Sequence, residues 1–136
     1  MALVIHLRKD GRVIINGAVL ENVSGRAISL AVKNEASILR DDDVLQPEDA
    51  VTPASRIYFA LQCAYVFRES RARHMAQLEE FLEGYVQAAP SALPLATAVR
   101  AAVEAGNLYE ALKKARELFR HERNVMAGSG EVRQID

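Results

Sequence analysis

A single cysteine, Cys63, excludes an intramolecular disulfide and any multi-cysteine zinc site among the 136 residues. An excess of one charge is also missing: 17 lysines and arginines stand against 18 aspartates and glutamates, for a net charge of −1. That balance excludes a generally basic nucleic-acid coat, so any such binding must use a local patch. No apolar stretch reaches the ~18 residues of a membrane-spanning helix. Met1 to Leu7 enters an alternating pattern directly, without the apolar region and cleavage site of a secretory leader. No Gly-rich phosphate loop occurs; the glycines among the strands, Gly11, Gly17 and Gly25, fall at turns. The expectation is a soluble, cytoplasmic protein with no membrane contact and no cofactor. What is present is globular: half of the residues are hydrophobic and 26% are charged. The length suits one domain or two small ones packed together.

The first 45 residues alternate as strands do. Leu3, Ile5 and Leu7 interleave with Val4, His6 and Arg8. Lys9-Asp10-Gly11 predicts a turn, and Asn16-Gly17 is the strongest short hairpin signal, since both residues tolerate positive φ. Further strands are expected over Arg12–Ile15, Ala18–Glu21, Ala27–Lys33 and Ala36–Arg40. Five short strands make a small antiparallel sheet or barrel that needs something to pack on.

Polar residues follow, ending in Thr52-Pro53, which predicts a helix start: the hydroxyl caps and proline suits the first turn. That helix runs to about Phe67, and from Ile57 to Phe67 only Gln62 is strongly polar, so it is either buried on several sides or waits for a partner. Ile57, Phe59, Leu61 and Phe67 are therefore candidate partner-binding residues. A second helix over about 70–89 carries a seam at Met75, Leu78, Leu82, Tyr85 and Ala89. A third ends at Gly106, and a fourth runs from Leu108 to about Arg123. The fold class is α+β: a five-stranded antiparallel sheet or barrel over residues 1–46, a bundle of about four helices over 47–123, and a frayed tail over 124–136.

Catalysis has little to stand on. His6, His74 and His121 fall in three elements without ligand spacing, and Cys63 has no base near it in sequence. Asp41-Asp42-Asp43 lacks the alternating ligands of a calcium loop and is simplest as a solvated connection. The chain is not expected to be an enzyme. The basic residues say more. Thirteen of the 17 are arginine, whose planar fork suits phosphate and base edges. Lys113, Arg116, Arg120 and Arg123 form one helical stripe, although Glu110, Glu117 and Glu122 balance it. A second cluster, Arg68, Arg71, Arg73 and His74, sits between two helices.

Two resemblances attach to particular strings. Ile15-Asn16-Gly17-Ala18-Val19, then Ile38-Leu39-Arg40, Val44-Leu45-Gln46-Pro47-Glu48 and Thr52-Pro53-Ala54-Ser55-Arg56-Ile57-Tyr58-Phe59, resemble the FlbT family of flagellar biosynthesis regulators, in order and spacing, to about Arg123. The resemblance implies post-transcriptional control of flagellin through binding of the 5′ untranslated region of its mRNA, lowering translation or stability. The strings Gly25 to Val32 and Ser37 to Asp42 are similar to the carbon storage regulator family, although Leu39 replaces that family's histidine and Lys33-Asn34-Glu35 its Ala-Pro segment. In that family the first and fifth strands pair between subunits of a dimer. On matching positions it implies Arg40 as an RNA contact, with Arg8 and Lys9 more loosely and Arg26 and Lys33 as nearby support. A homodimer covering the edges of strands one and five is expected. The rival expectation is a protein-interaction module, its apolar helix binding flagellin or another flagellar regulator, with indirect effects on RNA.

Overall fold

The computed structural model describes residues 3–40 and 43–135, with side chains as far as Ala127. The chain forms two compact units, Met1–Val44 with Val66–Arg68, and Leu45–Tyr65 with Glu69–Asp136.

The strand unit contains β1 (Leu3–Leu7), β2 (Arg12–Ile15), β3 (Ala18–Glu21), β4 (Ile28–Val32) and β5 (Ile38–Arg40). They divide into two antiparallel sheets, β1–β4 and β3–β2–β5. Alternation decides which side chains go inside. Ile5 and Leu7 of β1 and Val13 of β2 are buried, with Ile15, Ile28, Leu30, Val32 and Ile38 packed against them. The hairpin signal is realised fully: Asn16 and Gly17 have φ of 49° and 88°, and Ile15 pairs with Ala18 across the two-residue loop. Asn16 also tethers β5, since its side-chain oxygen accepts the Ser37 N–H at 2.9 Å while its own N–H donates to the Ser37 carbonyl at 2.9 Å. In the Asp10-Gly11 turn it is Asp10 that takes the positive φ, 63°. Gly11 is needed for closeness: a Cβ there would lie 3.0 Å from the Arg8 carbonyl oxygen.

The helical unit contains α1 (Pro53–Val66), α2 (Arg71–Ala88), α3 (Leu93–Glu104) and α4 (Leu108–Ile135). Thr52 and Ser55 cap α1 reciprocally. The Thr52 hydroxyl accepts the Ser55 N–H at 3.2 Å, and the Ser55 hydroxyl accepts the Thr52 N–H at 2.7 Å. The Glu122 carboxylate adds a third acceptor, taking the Ala54 N–H at 2.9 Å where the helix dipole favours negative charge. We expect Thr52→Ala to cost about 1 kcal/mol in urea unfolding. An unchanged midpoint would show that Glu122 and Ser55 suffice.

Gly106, with φ 79°, stops α3: its N–H donates to Val103 and that of Asn107 to Ala102. Asn107 then caps α4 through the Glu110 N–H at 3.0 Å. Of the seam expected on α2, Leu78, Leu82 and Tyr85 are buried, as is Ala89 at the C-cap, while Met75 is half-buried. On α4, Leu108, Ala111, Leu112, Ala115 and Leu118 are buried in the same way. One boundary differs from the sequence reading. The backbone of α4 is helical to Ile135, so the segment from Asn124, expected as a tail, continues the helix. Gly128 and Gly130 weaken a helix by about 1 kcal/mol each, but no proline is present to break it. No helix among the described residues is long and apolar enough to cross a membrane.

Candidate nucleic-acid interface

One buried asparagine organises the basic end of the strand unit. Asn22 is 3% exposed and follows β3 directly. Its Nδ2 donates to the carbonyls of Arg26 at 2.7 Å and Arg8 at 2.9 Å, with a longer contact to Leu7 at 3.2 Å. Its Oδ1 accepts the Ser24 N–H at 3.0 Å and the Ser24 hydroxyl at 2.7 Å. Its backbone continues the β2–β3 ladder, pairing with Asp10 and Gly11 at 3.1 and 2.8 Å. The β1–β2 turn and the β3–β4 connection, distant in sequence, are thereby locked side by side.

Arg8 and Lys9 ride on the first of these loops and Arg26 on the second, and all three are exposed. Arg40, also exposed, ends β5 opposite Val13. Of the five RNA-contact residues expected from the sequence, Arg8, Lys9, Arg26 and Arg40 thus share one end. Lys33 does not. It follows Val32, which pairs with Leu3 at the far end of a ladder whose near end is Leu7–Ile28. At 3.4 Å per residue that separates it from the others by about 17 Å.

Sequence reasoning missed Arg12. It opens β2 immediately after the Lys9–Gly11 turn, pairs with Glu21 in register, and its Nε lies 4.0 Å from the Glu21 carboxylate. An exposed pair at that distance contributes well under about 1 kcal/mol, so the guanidinium is free to exchange partners. The signal was available: a residue that follows a tight turn shares an end with those preceding it. Asp10, in the β1–β2 turn, and Glu21, opposite Arg12, are acidic residues at this end, and Asp43 follows Arg40 by three residues; Asp41 and Asp42 lie outside the described residues.

The helical unit carries the second expected stripe. Lys113, Arg116, Arg120 and Arg123 are exposed on α4, with Lys113 3.5 Å from Glu110 and 5.8 Å above the Tyr109 ring. Of the cluster around residue 70, Arg71 is structural: its guanidinium donates to the Ala64 and Tyr65 carbonyls at 2.7 and 3.3 Å, closing the C-terminus of α1. The expected partner-binding residues separate too. Ile57 and Leu61 are completely buried and have no surface to offer a partner, Phe59 is half-buried, and Phe67 is half-exposed beside the Gly17 turn.

The histidines are dispersed. His6 bonds to the Ser29 hydroxyl at 2.9 Å. His121 shares 2.8 Å hydrogen bonds with the Tyr85 and Ser91 hydroxyls, tying α4 to α2 and to the turn before α3. Burial, and secondarily Glu122, push the Tyr85 phenol up to about 12, so it stays neutral. A neutral phenol cannot stabilise an imidazolium as a carboxylate would, and the trio acts as a tie between helices. Burial likewise pushes the Cys63 thiol up, away from the reactive thiolate. Among the described residues no group of three or more histidine, cysteine or acidic side chains could hold a metal ion.

Comparison with known proteins points in one direction. The model of the family described as "Flagellar protein FlbT" matches residues 3–126. A "Probable flagellum biosynthesis repressor protein FlbT 1" from Bradyrhizobium diazoefficiens is 34% identical over 125 residues, covering 92% of this chain and 85% of the relative. A "Probable flagellum biosynthesis repressor protein FlbT" from Brucella ovis is 35% identical over 133 residues, covering 96% and 86%. One of the same name from a Caulobacter species is 34% identical over 126 residues, covering 90% and 94%. No solved structure matches. With matches running through both the strand unit and the helical unit, the chain belongs to the FlbT family of flagellar proteins.

Proposed function

We propose that this protein represses flagellin synthesis after transcription, by binding the 5′ untranslated region of flagellin mRNA through the basic end of its strand unit. The repressor names of its relatives support the regulatory half of this reading. The observation that carries the RNA half is the convergence of Arg8, Lys9 and Arg26, on two loops locked together by Asn22, with Arg12 and Arg40, on the adjoining ends of β2 and β5. A locally basic end on a chain of net charge −1 is what selective contact with a single-stranded loop requires. Guanidinium groups grip phosphates in bidentate fashion and stack on unpaired bases, and loops preset by a buried clamp lose little freedom on binding.

The protein works in the cytoplasm, where the message is, and as a homodimer. Among the described residues β1 and β5 are each paired on one side only, and β3 exposes all four of its residues, Val19 and Leu20 among them. Such edges invite a second copy. The rival reading, a module acting on RNA through a protein partner, now rests on Phe59 and Phe67 rather than on the buried Ile57 and Leu61.

Arg40→Ala tests the site. The residue is exposed at the end of a strand, so the fold tolerates its loss. Leader binding in a filter assay should weaken by about 1–3 kcal/mol with an unchanged unfolding midpoint. Unaltered affinity in the folded variant would remove Arg40 from the interface.

A further inference from the structure

Within the helical unit, a cavity of about 320 Å³ opens between α1, α2 and the segment just before α1. Its walls are mainly apolar: Phe59 and Cys63 from α1, Phe81 from α2, and Pro47 from the preceding segment. Gln77, His74 and Arg56 supply its polar groups, and among the described residues no carboxylate lines it. We propose that this cavity seats one large apolar side chain from an acidic segment of a partner protein, with Arg56 holding the neighbouring carboxylate.

Three observations carry the proposal. The first is size. The volume lies at the low end of the ~300–1,000 Å³ range of ligand pockets, so it suits one aromatic side chain better than a cofactor. The second is that the cavity is built in advance. Gln62, 6% exposed, grips the backbone of Leu45 from both sides, accepting its N–H at 2.8 Å and donating to its carbonyl at 3.0 Å. The turn that follows closes through Asp49 to Gln46 and Ala50 to Pro47. The Pro47 wall is thereby fixed against α1, and a partner spends little on ordering it. Third, the charged and titratable side chains on the described lining, Arg56 and His74, are basic. Arg56 is exposed, and among the described residues no carboxylate pairs with it. Apolar walls beside an available guanidinium select an apolar anchor next to an anion and reject the same anchor flanked by lysines. This cavity belongs to the helical unit and the basic end to the strand unit, and the two are tested with different ligands, so either proposal can fail without the other.

The test uses the full chain and amide proton–nitrogen correlation spectra. Three peptides are titrated to about 10 mM, the range suited to a single anchor: acetyl-Glu-Trp-Glu-amide, acetyl-Lys-Trp-Lys-amide and acetyl-Glu-Ser-Glu-amide. The first should shift amides around Phe59, Cys63, Gln77 and Phe81. The lysine peptide should bind about fivefold or more weakly, and the serine peptide should leave those amides unmoved. Arg56→Gln, at an exposed position, should abolish the preference for glutamate over lysine while keeping the tryptophan-dependent shifts. No localised shift with the first peptide, equal binding of the lysine peptide, or a preference that survives Arg56→Gln would each overturn the proposal.

Discussion

Asn22→Asp will destabilise the strand unit by about 3 kcal/mol at neutral pH, and part of that loss will return on acidification. The substitution keeps shape and volume but replaces an amide donor with a carboxylate oxygen. That oxygen would face the carbonyls of Leu7, Arg8 and Arg26, at a site only 3% exposed. Burial and three carbonyl dipoles disfavour the charged form, so the folded-state pKa rises above the ~3.9 of a free aspartate. A group with a raised folded pKa contributes most below its unfolded pKa, and its contribution is lost as pH rises through the folded value. The variant should therefore be closer to wild type near pH 4 than at pH 7.5 in denaturant titrations at both. An equal deficit at the two pH values would show that the Asn22 amide is not the donor. Because Arg8 and Arg26 hang on these bonds, leader RNA affinity should fall with the fold.

Leu61→Ala will cost the helical unit about 2–5 kcal/mol and lower the melting temperature by roughly 10 °C. Leu61 is 0% exposed on a helix whose neighbours Ile57 and Ala64 are equally buried. Truncation leaves a cavity that packed helices cannot close. Phe67→Ala removes a side chain that is 49% exposed and should cost less than about 1 kcal/mol. Calorimetry of both separates core from surface on the one apolar run that the sequence left ambiguous. A near-neutral Leu61→Ala would return that residue to the partner-binding reading.

Local chemistry was legible in this sequence, and long-range pairing was not. Asn16-Gly17 announces a turn because few residues accept two successive positive φ values, and the turn is there. Thr52-Pro53 and Gly106 mark helix ends for similarly local reasons, and the seam on α2 is core from Leu78 onward as its 3-4 spacing implies. Sequence spacing could not show that β1 pairs with β4 and β5 with β2, because register across 20 residues or more is set by packing. That pairing is what places Arg40 beside the start of β2 and removes Lys33 to the far end. Nor could an all-round apolar helix say which side chains are core and which line a cavity. Ile57 and Leu61 went inward, while Phe59 lines the pocket with Arg56. Asn22 gave no signal, since a lone asparagine after a strand reads as a turn residue until its three carbonyl partners are assembled by the fold.

Direct binding to the message is the central claim, and a gel-shift titration of the purified chain tests it. The flagellin mRNA leader and an unrelated leader are compared without added protein, at salt from about 50 to about 200 mM. The account predicts leader-selective binding that weakens roughly thirty- to a hundredfold over that range, as about four phosphate contacts to single-stranded RNA require. No shift, an equal shift of the unrelated leader, or binding indifferent to salt would contradict it.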